Sequence, residues 1–266
     1  MHLPADRGVL GIVAVHPWID GPRTGAENMA IDQAMLRAAQ ETGAGFVRCS
    51  EWTPHCLSFG RHEPALRRYD RSRIEALGIA TVRRPTGGRA VWHARELTYS
   101  VAAPVAGFGS LPKAYRALHQ AIAEALTPLG LAVELAGGAR PAGPAAGPCF
   151  ALAVGGEVTV DGRKLVGSAQ YQEAGAFLQH GSLLLEDDQS VVHSVLRGAG
   201  PVSHEITASA LLGRPLPFAE VAGLVIDSLA RTVGERAAVD DPPAEVTSLA
   251  PQYLPRYSSP EWTWSR

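Results

Sequence analysis

The sequence predicts an α+β fold, a mixed β-sheet flanked by helices. Strand-like runs come in pairs joined by turn residues, and longer stretches with helical spacing separate those pairs. No internal repeat is visible, so a solenoid or propeller is not indicated. With 46% hydrophobic and 19% charged residues over 266 positions, the chain can bury a sizeable core. One main domain is expected over residues 1–240, with a peripheral segment over 241–266 packed on it.

Residues Val9 to Val15 read as a buried strand, and Gly25 to Gln40 as a helix because Met29, Ala30, Met35, Leu36 and Ala39 share one face. Phe46 to Cys49 and Cys56 to Phe59 are short strands around a Trp52-Thr53-Pro54 turn. Arg71 to Ala76 is a short helix and Ile79 to Arg84 a strand. A glycine turn follows, and a strand resumes over Glu96 to Ala103. Pro112 to Leu129 is a helix with proline in its first turn and Gly130 beyond its end. Residues 136–148, AGGARPAGPAAGP, lack any period and form a surface loop that ends at Cys149. Glu157 to Val160 and Arg163 to Ala169 flank Asp161-Gly162, a hairpin signal. Phe177 to Leu185 is a strand and Phe218 to Val233 a helix.

The net charge of -2 argues against a general binder of nucleic acid or membrane surfaces. Three scattered cysteines suggest no disulfide framework and fit a reducing compartment. The first fifteen residues lack the pattern of a secretory signal, and no stretch approaches the roughly 18 apolar residues of a membrane span. A soluble, cytoplasmic protein is expected. Of the 24 basic residues only Lys113 and Lys164 are lysines. In so arginine-rich a chain, a retained lysine hints at a role that arginine cannot fill.

Three constellations can carry chemistry. In RRPTGGRAVWH, residues 83–93, Arg83 and Arg84 precede the Gly87-Gly88 turn, whose backbone N–H groups can approach an anion closely. The same pattern also describes an ordinary tight turn with solvated arginines. It is neither a P-loop nor a dinucleotide fingerprint. In GRKLVGSAQ, residues 162–170, alternation places Lys164, Val166, Ser168 and Gln170 on one strand face. That face is either a solvated stripe or a place where a lysine meets a carbonyl or thiol. Gln179-His180-Gly181-Ser182 interrupts an apolar strand, where a histidine is ordinarily a satisfied core residue. Cys149, between a Gly/Pro loop and the apolar start of FALAV, is the cysteine best placed to act as a thiolate nucleophile. Cys49 and Cys56 lie in or beside apolar strands, where cysteine packs as a small hydrophobe. No spacing suits a zinc site.

Taken together, GAENMAIDQAML, VRRPTGGRAVWHARELTYSV and KLVGSAQYQEAGAFLQHGSLLL resemble the lipoate-protein ligase and octanoyltransferase superfamily, relatives of biotin-protein ligases. The resemblance runs from about residue 16 to 190, and YSSPEWTW near the end is also similar. Cys149-Phe150 before Lys164, with Gly87-Gly88-Arg89 where ATP-dependent ligases typically carry three glycines, is closest to the Gram-positive-type octanoyl-carrier-protein:protein octanoyltransferases. Trp92 and the Ala/Gly/Pro-rich loop depart from the pattern.

The resemblance implies a biotin/lipoate-protein ligase-like, class II synthetase-like catalytic domain with an acyl tunnel near Val91 and Leu97. It implies that Cys149 accepts an octanoyl group from acyl carrier protein. A lysine of a lipoyl domain, in 2-oxoacid dehydrogenases or the glycine-cleavage H protein, then takes that group. Lys164 is the second catalytic residue, polarising the carbonyl or steadying the thiolate. Arg83, Arg84, Arg89, His93, Ser168, Ala169 and Gln170 are the substrate contacts. Backbone N–H groups at Gly87 and Gly88, or at His180 and Gly181, are candidates for an oxyanion site. No cofactor, metal, nucleic acid or membrane is implied. The alternatives are an ATP-dependent lipoate ligase, an amidotransferase using the H protein as donor, and a catalytically silent acyl-protein binder.

Overall fold

The computed structural model describes residues 13–137, 156–187, 189–198, 205–237 and 241–266. The loop expected over 136–148 therefore falls almost wholly outside the described residues, and so does Cys149. Strand β1 covers Ala14–Ile19, later than the expected Val9 to Val15, whose first residues are also outside the described set. It runs through Pro17, a residue that ordinarily argues against a central strand. Among the described residues β1 pairs with β12 (Glu235–Arg236) only at Ala14 and Val15, so beyond them it has a described partner on one side alone.

Helix α1 (Gly25–Thr42) starts at a capping box between Thr24 and Glu27 and stops at Gly43, whose φ of 72° is left-handed. Next come β2 (Gly45–Ser50), β3 (Cys56–Phe59), α2 (Ala65–Arg68), α3 (Arg71–Ala76) and β4 (Ala80–Arg83). The chain past the glycine motif forms two strands, β5 (Val91–His93) and β6 (Glu96–Pro104), in different sheets. Helix α4 (Leu111–Leu126) ends in a 3-10 turn over Thr127–Leu129. Strands β7 (Glu134–Leu135), β8 (Val158–Val160) and β9 (Arg163–Lys164) make a small antiparallel sheet. Long strands β10 (Val166–Glu173) and β11 (Ala176–Leu184) follow, then short α5 (Ser190–Ser194) and α6 (Ala208–Leu212), and α7 (Phe218–Val233). Past β12 lie α8 (Ala244–Tyr257) and α9 (Pro260–Thr263).

The main sheet has the order β10-β11-β6-β2-β1-β12, with β1 parallel to both its neighbours and the remaining pairs antiparallel. Alternation along each strand divides the interior in two. Val15, Val47, Tyr99, Val101 and Phe177 face α4 and α7, while Trp18, Phe46, Ala102 and Leu178 face α1. Helix α8 packs along α1 on the second side. A second sheet, β4-β3-β5, lies with α2, α3 and Trp264 against its own apolar cluster. The expected strand from Arg163 to Ala169 is broken at Leu165, so Lys164 and Ser168 belong to different sheets.

Candidate active site

Where the second sheet meets the main one, a narrow cleft is walled by β5, β6, β10, β11 and α1. Met29, Trp52, Val91 and Ala169 give it apolar surface; Arg84, His93, Thr98, Ser168, His180 and Ser182 give it polar atoms. Of the residues expected at the site, Arg84, His93, Ser168, Ala169, His180 and Gly181 line this cleft, whereas Lys164, Arg83, Arg89, Gln170, Gly87 and Gly88 do not. Val91 lines it, but Leu97 is buried in the core under α4 and α7.

The two arginines are braces. Arg83 is fully buried, and its guanidinium donates to the carbonyls of Gly60, Arg61, Glu63, Trp262 and Thr263 at 2.7–3.3 Å. Arg84 donates to the carbonyls of Ser58, Gly87 and Arg89 and to the Ser58 hydroxyl. These bonds hold the glycine turn, in which Gly88 has φ 91°. Gly60 lies so close beneath the turn that a methyl group there would strike the Gly88 carbonyl.

Both cleft histidines are locked. His180 donates from Nδ1 to Asp32 (2.7 Å) and accepts at Nε2 from the Thr86 hydroxyl (2.6 Å). His93 donates from Nδ1 to Glu96 (2.7 Å), accepts from Ser58 (2.6 Å) and stacks on Trp52, with ring centroids 3.9 Å apart. Ser58, His93 and Glu96 thus have the spacing of a nucleophile–base–orienter set. Ser58 is wholly buried and accepts from Arg84, so no substrate carbonyl can reach it. Gly181 and His180 sit on β11, which is paired with β10 and β6 at both residues. Their N–H groups are taken up by the ladder, which removes them from the expected oxyanion site.

Lys164 is buried, with Nζ 2.6 Å from Oε1 of the equally buried Glu157. Sequence reasoning missed Glu157, although the hairpin signal contains it. The Asp161-Gly162 turn sets Thr159 opposite Lys164, which makes Glu157 its diagonal neighbour. Tyr115 also reaches Glu157, at 3.4 Å. His119 was missed too, and its signal was a polar residue in the apolar stripe of α4. It is fully buried between Tyr115, Gly156 and Ser168.

Burial, outweighing a hydrogen bond to the Gly156 carbonyl and reinforced by the nearby Lys164 charge, lowers the His119 pKa from 6.5 to about 4. Between those values the unfolded chain binds a proton that the folded protein does not. Stability should therefore fall as pH drops from about 6.5 to about 4, by up to ~3 kcal/mol, and level off below. His93, lowered mainly by burial, acts with the same sign. Denaturant midpoints across this window should show a shallower slope for His119→Gln; an unchanged slope would contradict the assignment.

Burial pushes the thiols of Cys49 and Cys56 up, so neither is a nucleophile at neutral pH. Among the described residues no group of three His, Cys, Asp or Glu is placed to hold a metal ion, and no helix is long and apolar enough to cross a membrane.

This cleft sits in an architecture shared with lipoate-protein ligases. Lipoate-protein ligase A bound with ATP superposes with a TM-score of 0.73 at 20% identity, over 95% of this chain and 98% of that one. The bipartite lipoate protein ligase of Thermoplasma acidophilum gives 0.73 at 21%, over 95% and 96%. At such identities the likeness is one of fold. Residues 24–230 match the lipoyl protein ligase A/B catalytic domain, and the chain belongs to that family. Its relatives include the Octanoyltransferase LipM of Kyrpidia tusciae, 33% identical over 92% of this chain and 97% of its own. The Octanoyltransferase LipM of Symbiobacterium thermophilum is 35% identical over 80% and 84%.

Proposed function

We propose that this protein moves an octanoyl group from acyl carrier protein onto a lysine of a lipoyl domain, by way of a thioester on Cys149. The observation that carries this reading is end-to-end similarity to proteins named Octanoyltransferase LipM. The chemistry of the chain supports it. Cys49 and Cys56 are held in buried strands with raised pKa values, which leaves Cys149 as the thiol to which this reading assigns the thioester. Six residues lie between Cys149 and Gly156, a span of at most about 25 Å. Gly156 is bonded to His119, which in turn reaches the cleft wall at Ser168.

Met29, Trp52 and Val91 offer apolar surface to the acyl chain. Full burial of its seven hydrocarbon carbons, at about 0.8 kcal/mol each, would favour binding by roughly 6 kcal/mol. Lys164, aimed by Glu157, supplies a fixed positive charge for the carbonyl oxygen or the departing sulfur. The acceptors are the lipoyl domains of 2-oxoacid dehydrogenases and of the glycine-cleavage H protein, and the compartment is the cytoplasm. Residues 1–240 form the catalytic unit, with 241–266 packed on it.

Transfer of an acyl group already activated as a thioester to an amine is downhill, so the reaction runs without ATP. Intact mass after mixing with octanoyl-acyl carrier protein should show one octanoyl adduct, absent in Cys149→Ala. An adduct that persists in that variant, or octanoylation of a lipoyl domain that requires free acid and ATP, would overturn the reading.

A further inference from the structure

His119 has no part in the chemistry described so far, yet it anchors a chain of polar side chains that ends in the cleft. Its Nδ1 lies 2.7 Å from the Gly156 carbonyl. A carbonyl only accepts, so the proton is on Nδ1 and the neutral ring offers Nε2 as an acceptor. Ser168 Oγ, 2.8 Å from Nε2, therefore donates to it. Tyr99 OH is 2.6 Å from Ser168 Oγ, whose proton is already given to His119, and 3.4 Å from His119 Nε2, so it donates to the nearer Ser168 while accepting from the Gln179 amide at 2.8 Å. The Gln179 carbonyl oxygen accepts from Gln170, also at 2.8 Å. Every bond in the series points the same way, from Gln170 to Gly156.

Of these side chains only Ser168 lines the cleft. A serine hydroxyl has one proton and two acceptor sites. His119 takes the proton and Tyr99 takes one acceptor site, leaving a single lone pair for a ligand. Toward the cleft Ser168 is an acceptor only: it disfavours a carbonyl or carboxylate oxygen and selects an N–H.

We propose that Ser168, held in this state by His119, receives the ε-amine of the target lysine and aims its nitrogen lone pair at the thioester carbonyl. Ser168 is then a catalytic residue and His119 a positioning residue; the assignment rests on the octanoyl transfer proposed above. As the C–N bond forms and the C–S bond breaks, the sulfur leaves with the electron pair and takes up the proton that the nitrogen loses. Positive charge develops on the nitrogen meanwhile, and its hydrogen bond to the fixed Ser168 oxygen strengthens. His119 stays neutral throughout.

The test uses the octanoylated full-length enzyme discharged in single turnovers to two acceptors, a lipoyl domain and a small thiol such as coenzyme A. A thiolate brings no N–H, so it makes no use of an acceptor at Ser168. In Ser168→Ala and His119→Leu, discharge to the lipoyl domain should fall about 10- to 100-fold more than discharge to the thiol. His119→Gln, whose amide can donate to Gly156 and whose carbonyl can accept from Ser168, should recover most of that ratio. Equal slowing toward both acceptors would mean a merely structural role and overturn the proposal, as would a ratio unchanged in Ser168→Ala. Wild-type enzyme that never acquires an octanoyl group would overturn the parent reading, and this inference with it, before any variant is compared.

Discussion

Replacing Glu157 with alanine is expected to destabilise the protein by about 3–5 kcal/mol, because Lys164 would be left as a buried charge without its carboxylate. The pair is 2.6 Å apart, with side-chain exposures of 2% and 3%, so neither ion can turn to water when its partner is removed. Lys164→Met should cost a similar amount for the mirror reason. The double variant Lys164→Met/Glu157→Leu removes both charges and should regain most of the loss, since a buried ion pair and an apolar pair of similar volume are often near parity. Octanoyl transfer should stay absent in the double variant, because the ammonium is gone. Urea unfolding of the two single variants and the double measures the coupling directly. Single-variant losses below about 1 kcal/mol would show that the pair does not brace the β8–β9 hairpin, and a double variant that still transfers would show that it does not serve the reaction.

Gly181→Ala should destabilise by about 2–3 kcal/mol and disable the cleft at the same time. An added methyl group would lie 2.6 Å from the Gly167 carbonyl and 2.7 Å from the Tyr99 ring, and would press on the Ser168 hydroxyl. The carbonyl belongs to β10, which is paired to β11 along its whole length and cannot retreat without opening the ladder. Gly87→Ala is the matched control, since nothing lies within 4 Å of a methyl group there and its φ is not left-handed. Thermal unfolding should separate the two substitutions clearly, and a Gly181→Ala protein as stable as wild type would contradict this packing.

Much of this architecture is legible in the sequence where one local signal dominates. Cys56–Phe59, Arg71–Ala76 and Phe218–Val233 form with the expected bounds, because hydrophobic period and end signals agree there. Helix α8 was not expected, since Pro251 and Pro255 lie inside it and proline reads as a breaker. Packing along α1 outweighs that local preference. The bend at Leu165 was hidden for a related reason. Strand alternation is unchanged across it, and only tertiary pairing assigns Lys164 to one sheet and Ser168 to another.

At the candidate site, six of the residues singled out by the motifs gather at one cleft, but the motifs did not disclose what each side chain touches. Arg83 reads as a substrate contact because it adjoins the glycine pair. Its real partners lie at Gly60, Arg61 and Glu63 and near residue 262, beyond the reach of any local pattern. Glu157 and His119, by contrast, carried readable signals in the hairpin register and the helix stripe.

The clasp around Arg83 also predicts an order of events during translation. Two of its five carbonyl acceptors belong to Trp262 and Thr263, and Trp262 is 179 positions downstream. A ribosome-bound chain that has not yet emitted those residues holds a cation whose burial is only partly compensated, directly beneath the glycine turn. The nascent polypeptide can thus assemble its sheets early, but the turn acquires its final support only when that distant stretch arrives.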